Sequence, residues 1–300
     1  AVGKGAADAA TSASQLVAVG KDAAGVITSA TDVTAIGYQA LKAVTTTALG
    51  GYCTAVGSYA GLNNIRGSNT SIGYAAGMNV GYGINNVAIG VQAMVGASAA
   101  AGTITSCSHG ESATAINCTS NATININQRV TGTNIAEGTY VTAITGGYGS
   151  VTAFVISQAT TNSSGGTLAG QSLVFYQTSA ENCVAIGVNA LATVTTGYTN
   201  VAIGSNSLDA LTTGIRNVAI GHSAGTALIA GGSNIAIGYN ALVTDDGCTG
   251  TVAIGEHALY SQNADAANNV AVGFQAALNL SSGTDSVYMG YKAGGVGVIT

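Results

Sequence analysis

A nine-residue motif, Asn-Val-Ala-Ile-Gly-x-x-Ala-Leu, returns thirteen times along the chain, and this recurrence constrains the fold more than any other feature. Its glycine stands at Gly3, Gly20, Gly37, Gly57, Gly73 and Gly90, and again at Gly187, Gly204, Gly221, Gly238, Gly255, Gly273 and Gly290. Most steps are 17 residues, and the others are 16, 18 and 20, apart from one step of 97 between Gly90 and Gly187. Subtracting one period leaves about 80 residues of inserted chain. Seventeen residues are too few for a strand–helix–strand crossover, which takes about 30. Two short strands and two turns fit, so the repeat predicts parallel rungs stacked about 4.8 Å apart, in all a rod of roughly 60 Å.

Taking the glycine as position 0, the residue before it is always Val, Ile or Met, and position −3 is Val, Ile or Thr. Position −2 is Ala except at Ser71 and Tyr288, and position +3 is Ala except at Ser207. This is a period of two, the signature of a strand with unlike faces. The β-branched residues at −3 and −1 are expected to fill the interior. The small residues at −2, 0 and +3 are then expected to face outward, where another backbone approaches closely. Asn at −4 (Asn69, Asn86, Asn200, Asn217, Asn234, Asn269) can form a hydrogen-bonded ladder or turn the chain into the strand. Thr195-Thr196-Gly197 and Thr212-Thr213-Gly214 carry turn chemistry.

Composition agrees with a chain that packs against itself or its copies. Charged residues make up 6%, against about a quarter in ordinary soluble domains. Gly occurs 44 times, and Pro and Trp not at all. The net charge of −5 contains no Lys/Arg run, so nothing marks a nucleic-acid or anionic-lipid surface. The apolar stretch Val87 to Ile104 opens on a copy of the repeat and holds several Gly, Ser and Thr, which argues against a membrane span. The chain opens inside a repeat at Ala1-Val2-Gly3, and Gly295–Thr300 stop before the next motif, so a longer parent chain is expected.

The stretches Asn200–Leu208 and Asn217–Gly225 resemble the Val-Ala-Ile-Gly repeats of trimeric autotransporter adhesin heads and of phage tail-fibre shafts. The resemblance covers about 220 residues and implies a β-roll in a homotrimeric extracellular fibre. The 17-residue period is longer than that of the usual adhesin head, and no heptad neck or membrane-anchor barrel is visible. Val130–Ile144 and Leu173–Tyr176, in the inserted stretch, resemble a small all-β module of phage and other viral structural proteins. Alternating Val141 and Ala143, and the Phe154/Ile156 pair, predict strands there without analogy.

Chemistry-bearing residues are scattered. Cys53, Cys107, Cys118, Cys183 and Cys248 contain no Cys-x-x-Cys, and with His109, His222 and His257 they show no zinc spacing. Cys107 and Cys118 are eleven apart and either bond or remain free thiols. Cys53 and Cys183 take the Asn position of rungs three apart, roughly 14 Å, too far for a bond within one chain. His222 and His257 read as exposed loop residues, Asp245-Asp246 as a solvated turn, and Asp209 and Glu256 as acids in different registers. Glycan-cleaving solenoids need clustered carboxylates, which this pattern lacks. Tyr38, Tyr74, Tyr239, Phe274 and Tyr291 follow the glycine and are expected to pack at the strand-to-turn corner.

The sequence therefore predicts an all-β chain: a parallel β-solenoid over 1–97 and 181–300, interrupted by a small β domain over 98–180. It predicts a non-enzymatic structural segment of an extracellular homotrimeric fibre, with no catalytic, cofactor or metal site. The expected partners are two further copies of the chain, adjoining segments of the fibre and a cell-surface receptor or glycan, with no nucleic acid and no membrane span. The alternative is a bacterial surface adhesin that binds a receptor or glycan through its loops or inserted domain. An ice-binding solenoid would need a regular Thr array on every rung, and Thr pairs occur only on some.

Overall fold

In the computed structural model of the chain, one short strand per repeat stacks in parallel on the next. The structure describes residues 1–27, 31–42, 52–64, 68–81, 83–96, 102–109, 115–118, 129–131, 141–145, 153–156, 168–176, 180–262 and 268–294. Within 102–176, side chains are described at 115–117 only. Contacts divide the chain into two compact units, Ala1–Ser98 with Ser179–Thr300, and Ala99–Thr178.

The first unit is a β-roll. Strands β1 (Ser14–Val19), β2 (Thr31–Ile36), β3 (Thr54–Val56), β4 (Thr70–Ile72) and β5 (Val87–Ile89) lie before the long step. The intervening strands are β6 (Gly102–His109), β7 (Ala115–Cys118), β8 (Arg129–Thr131), β9 (Val141–Thr145), β10 (Ala153–Ile156) and β11 (Leu168–Tyr176). The roll then resumes with β12 (Val184–Ile186), β13 (Val201–Ile203), β14 (Val218–Ile220), β15 (Ile235–Ile237), β16 (Val252–Ile254), β17 (Val270–Val272) and β18 (Val287–Met289). The roll sheet has twelve strands and runs directly from β5 to β12. Val87 pairs with Val184, Ala88 with Ala185 and Ile89 with Ile186, so the repeat re-enters in register after the long step.

Each rung has one strand, not the two expected from the repeat length. The opposite wall is a turn whose backbone bonds to the next rung, as from Leu208 N to Ala224 O (3.1 Å) and from Gly225 N to Ala241 O (2.9 Å). Positions +2 and +4 in that turn are left-handed, as at Asn206 (φ 56°) and Leu208 (φ 48°). Asn tolerates this conformation, whereas Leu adopts it at a cost of about 1–3 kcal/mol. Full burial of Leu contributes about 1.5–3 kcal/mol, enough to offset that strain.

The inside of the roll is the reverse of the sequence expectation. The −2 residues from Ala18 to Ala271, all Ala except Ser71, are buried, while the Val and Ile at −3 and −1 are half-buried or exposed. The cause is volume. Behind a three-residue strand the interior is narrow, and its far side is already occupied by +3 Ala, +4 Leu and an apolar +7 residue such as Val194, Leu211 or Leu228. Only a methyl group fits between. The packing is complementary from rung to rung: a Cβ placed on Gly225 would lie 2.9 Å from Leu208 Cδ2 and 3.1 Å from Leu228 Cδ1. Small residues at −2 do mark a close approach, but the neighbour is the chain's own turn. Leu41, Leu191, Leu208, Leu242 and Leu259 are buried in that interior.

The corner glycine is required twice over. Gly204 has φ of 134°, and a Cβ there would collide with the Gly221 carbonyl oxygen of the next rung.

The second unit is a six-stranded sheet of order β8-β11-β6-β7-β10-β9, every pair antiparallel. The strands expected from Val141/Ala143, Phe154/Ile156 and Leu173–Tyr176 are β9, β10 and part of β11. Among its described side chains, Ile116 on β7 is buried. No helix among the described residues is long and apolar enough to cross a membrane.

Candidate functional site

Because the alanines take the interior, the aliphatic side chains form two outward columns on one face of the sheet. On β12 to β17 the −3 column runs Val184, Val201, Val218, Ile235, Val252, Val270, and the −1 column runs Ile186, Ile203, Ile220, Ile237, Ile254, Val272. Ile220 is 37% exposed and Ile186 36%, in a column where β-branched side chains stand directly above one another. Val and Ile favour this backbone. Over β5 and β12 to β18, seven intervals of about 4.8 Å and a width of about 10 Å make an apolar strip of roughly 340 Å², while Thr34, Thr54 and Thr70 take position −3 on β2 to β4. That is within the range of the largest patch on a soluble monomer.

The edge beside this strip carries rings. Tyr38, Tyr74, Tyr239, Phe274 and Tyr291 are exposed rather than packed into the corner. They pack on their neighbours along the stack instead. Tyr38 meets Tyr59 edge-on at 5.2 Å, Tyr59 meets Tyr74 at 6.0 Å, and Phe274 stacks on Tyr291 at 5.5 Å. His222 and His257, two rungs apart, both contact Tyr239, at 5.5 and 5.3 Å. His222 is exposed as expected, whereas His257 is half-buried, with Nδ1 3.7 Å from Glu256 Oε1.

Inside the roll the asparagines at −4 form a polar ladder over Asn200, Asn217 and Asn234. Asn200 Oδ1 accepts from Asn217 N (2.9 Å), Asn217 Oδ1 from Asn234 N (3.0 Å) and Asn234 Oδ1 from Thr251 N (2.9 Å). Each amide also donates to the turn entering the following rung, as from Asn200 Nδ2 to Gly214 O (2.8 Å) and from Asn217 Nδ2 to Gly231 O (2.8 Å). Burying these amides is tolerable because they are paired. The ladder crosses the long step, with Cys183 N donating to Asn86 Oδ1 (3.0 Å).

Asp245 departs from the solvated turn expected of it. It is buried at +7, accepting from Cys248 N (2.8 Å) and Gly247 N (3.1 Å) at Oδ1 and from Gln262 Nε2 (2.9 Å) at Oδ2. Gln262 Oε1 in turn accepts from Asn269 Nδ2 (2.9 Å), so polar residues at +7 connect to an asparagine at −4. Asp246 beside it is exposed. Position +7 is the core position that sequence reasoning missed. Its signal was the Val194, Leu211, Leu228 and Leu280 series.

Cys53, Cys183 and Cys248 are buried. Burial pushes the Cys183 thiol up to about 11 and raises that of Cys53. Cys248 is also raised, first by burial and then by the neighbouring Asp245 carboxylate. Such thiols are poor nucleophiles. Burial likewise raises the Asp209 carboxyl, and Asp209 and Glu256 stand on different rungs at different positions. Among the described residues no group of three or more His, Cys, Asp or Glu is placed to hold a metal ion.

What the arrangement offers is therefore a surface: an outward aliphatic strip and a bordering row of rings on a roll closed by its own turns. Compared with protein-family models, curated proteins and solved structures, the chain has no significant match.

Proposed function

We propose that the chain is a structural shaft segment of an extracellular homotrimeric fibre, such as a phage tail fibre or similar appendage, with the Val/Ile strip turned toward the other two copies. The observation that carries this reading is the open face of a parallel sheet. All-parallel sheets occur almost only with both faces covered. Here the turns cover one face and leave aliphatic columns on the other. A second copy of the same strip matches it in pitch and chemistry. Three copies rather than two is what the adhesin and tail-fibre resemblance implies. The inserted unit is then the part available for host attachment. The few charges and the glycine-rich turns suit a rigid spacer better than a catalyst.

Light scattering on the purified chain tests the assembly. The wild type is expected at three chain masses. Ile220→Arg with Ile237→Arg places two charges on the strip and is expected to give monomers that keep their β circular dichroism. A monodisperse wild-type monomer, or unchanged trimers in the double variant, would overturn the interface.

The row of exposed rings favours a second reading, a surface adhesin that stacks a glycan on Tyr239 and its neighbours. Glycan-array binding lost in Tyr239→Ala, with oligomeric mass unchanged, would favour it.

A further inference from the structure

We propose that Cys107 and Cys118, directly opposite each other on neighbouring antiparallel strands, form a disulfide that joins the two halves of the second unit's sheet. The register is unambiguous. Cys107 pairs with Cys118, Ser108 with Asn117 and His109 with Ile116, without a shift. Directly opposed residues in an antiparallel pair have Cα atoms about 4.5–5.5 Å apart, and a disulfide requires about 4.4–6.8 Å. A diagonal neighbour, at about 7–8 Å, lies outside that window. The backbone thus brings together the only two cysteines of this unit, at a separation the bond can span.

Position in the sheet gives the bond a purpose. In the order β8-β11-β6-β7-β10-β9, three strands lie on each side of the β6–β7 seam. That seam pairs at three residues, whereas β6 and β11 pair at five positions along longer strands. A covalent tie across the short seam joins β8-β11-β6 to β7-β10-β9.

The roll's cysteines offer no competing pair among themselves. Cys53, Cys183 and Cys248 are buried, and they precede β3, β12 and β16, which lie several strands apart in the sheet. The reaction is an exchange. The thiolate of one cysteine attacks a small disulfide such as oxidised glutathione, giving a mixed disulfide and releasing one glutathione thiol. The second cysteine then displaces the other glutathione. Two electrons and two protons leave the protein, and one oxidised glutathione becomes two reduced ones. An extracellular location would sustain the bond, but the inference rests on strand register and not on the fibre reading.

The test uses the full chain, equilibrated with oxidised and reduced glutathione, then denatured, alkylated without reductant and cleaved with a glutamyl endoprotease. Glu111 lies between the two cysteines, so cleavage there separates them into peptides joined by the disulfide alone. The expected result is alkylation at Cys53, Cys183 and Cys248 only, and one linked peptide pair that separates on reduction. Reductant should also lower the melting temperature of the wild type more than that of the Cys107→Ser/Cys118→Ser variant. Alkylation of all five cysteines without reductant, or linkage of Cys107 to any cysteine other than Cys118 of its own chain, would overturn the proposal.

Discussion

The roll and the inserted sheet are both all-β, yet they hold together in different ways. In the roll, β5 and β12 apart, each strand bonds to neighbours about one repeat away in sequence, and the Val/Ala/Ile pairing recurs from rung to rung. In the inserted sheet β8 pairs with β11, placing Thr131 opposite Val174, and no unit repeats. Stability in a stacked solenoid is close to a sum of rung and interface terms, whereas a sheet built from distant pairings forms as a whole. Local damage in the roll should therefore spread to neighbouring rungs, and damage in the inserted sheet should remove that unit alone.

The largest effect comes from placing a charge in each interior. Ala219→Arg puts an unpaired cation in the roll core, and Ile116→Arg does so in the inserted unit, each costing several kcal/mol at a fully buried position. Ala219→Arg is expected to lower and broaden the melting transition of the roll and keep that of the inserted sheet, and Ile116→Arg to abolish the inserted sheet's transition and keep the roll's. Loss of both transitions in either variant would show that the units fold as one. The neighbouring change on the outward strip, Ile220→Arg, should leave the roll folded, which separates the two faces of a single strand.

A smaller effect tests the ladder. Cys183 stands where other rungs have Asn, and its Sγ accepts from Asn200 N at 3.4 Å and lies 3.6 Å from Gly197 O. Sulfur is a weak partner. Cys183→Asn should restore the amide rung and raise stability by about 1 kcal/mol. The effect should grow with alkali. The thiol's ordinary value of 9.0 is raised to about 11 in the fold, so the unfolded chain gives up this proton first. The wild type's advantage from the neutral thiol is complete below pH 9 and lost as pH rises toward 11. Melting temperatures across that range should fall less in Cys183→Asn, and parallel pH profiles would refute this account.

The smallest effect is expected from removing the inserted sheet altogether. Joining Ser98 to Ser179 through a short turn should leave the roll's melting temperature nearly unchanged, because β5 and β12 already pair directly. Loss of β structure in that deletion would make the inserted sheet part of the roll's core.

Much of the roll was legible in the sequence, because position-specific demands repeat. The recurrence of the glycine and the resumption at Gly187 followed from comparing copies, and a ladder was one of the two roles open to Asn at −4. Sidedness did not follow. Alternation at −3, −2 and −1 says that two faces differ, but not which is enclosed, and the instinct to put Val and Ile inside gave the wrong face. The deciding information lay across the rung, in Leu208 at +4 and Leu211 at +7, which already fill the space behind Ala202. Asp245 misled for a similar reason. An acidic pair in a turn looks solvated until Gln262, seventeen residues on, is seen to donate to it.

The unbroken pairing of β5 with β12 has a consequence for how such a chain can change. A rung asks for a three-residue strand in register and a turn that returns to it, and sets no upper limit on what the chain does between one rung and the next. Some 80 residues leave after one rung and the following rung still meets its neighbour residue for residue. Every turn on that side is then an address at which a foreign domain can be displayed, and the addresses recur at a fixed pitch of about 4.8 Å along the stack.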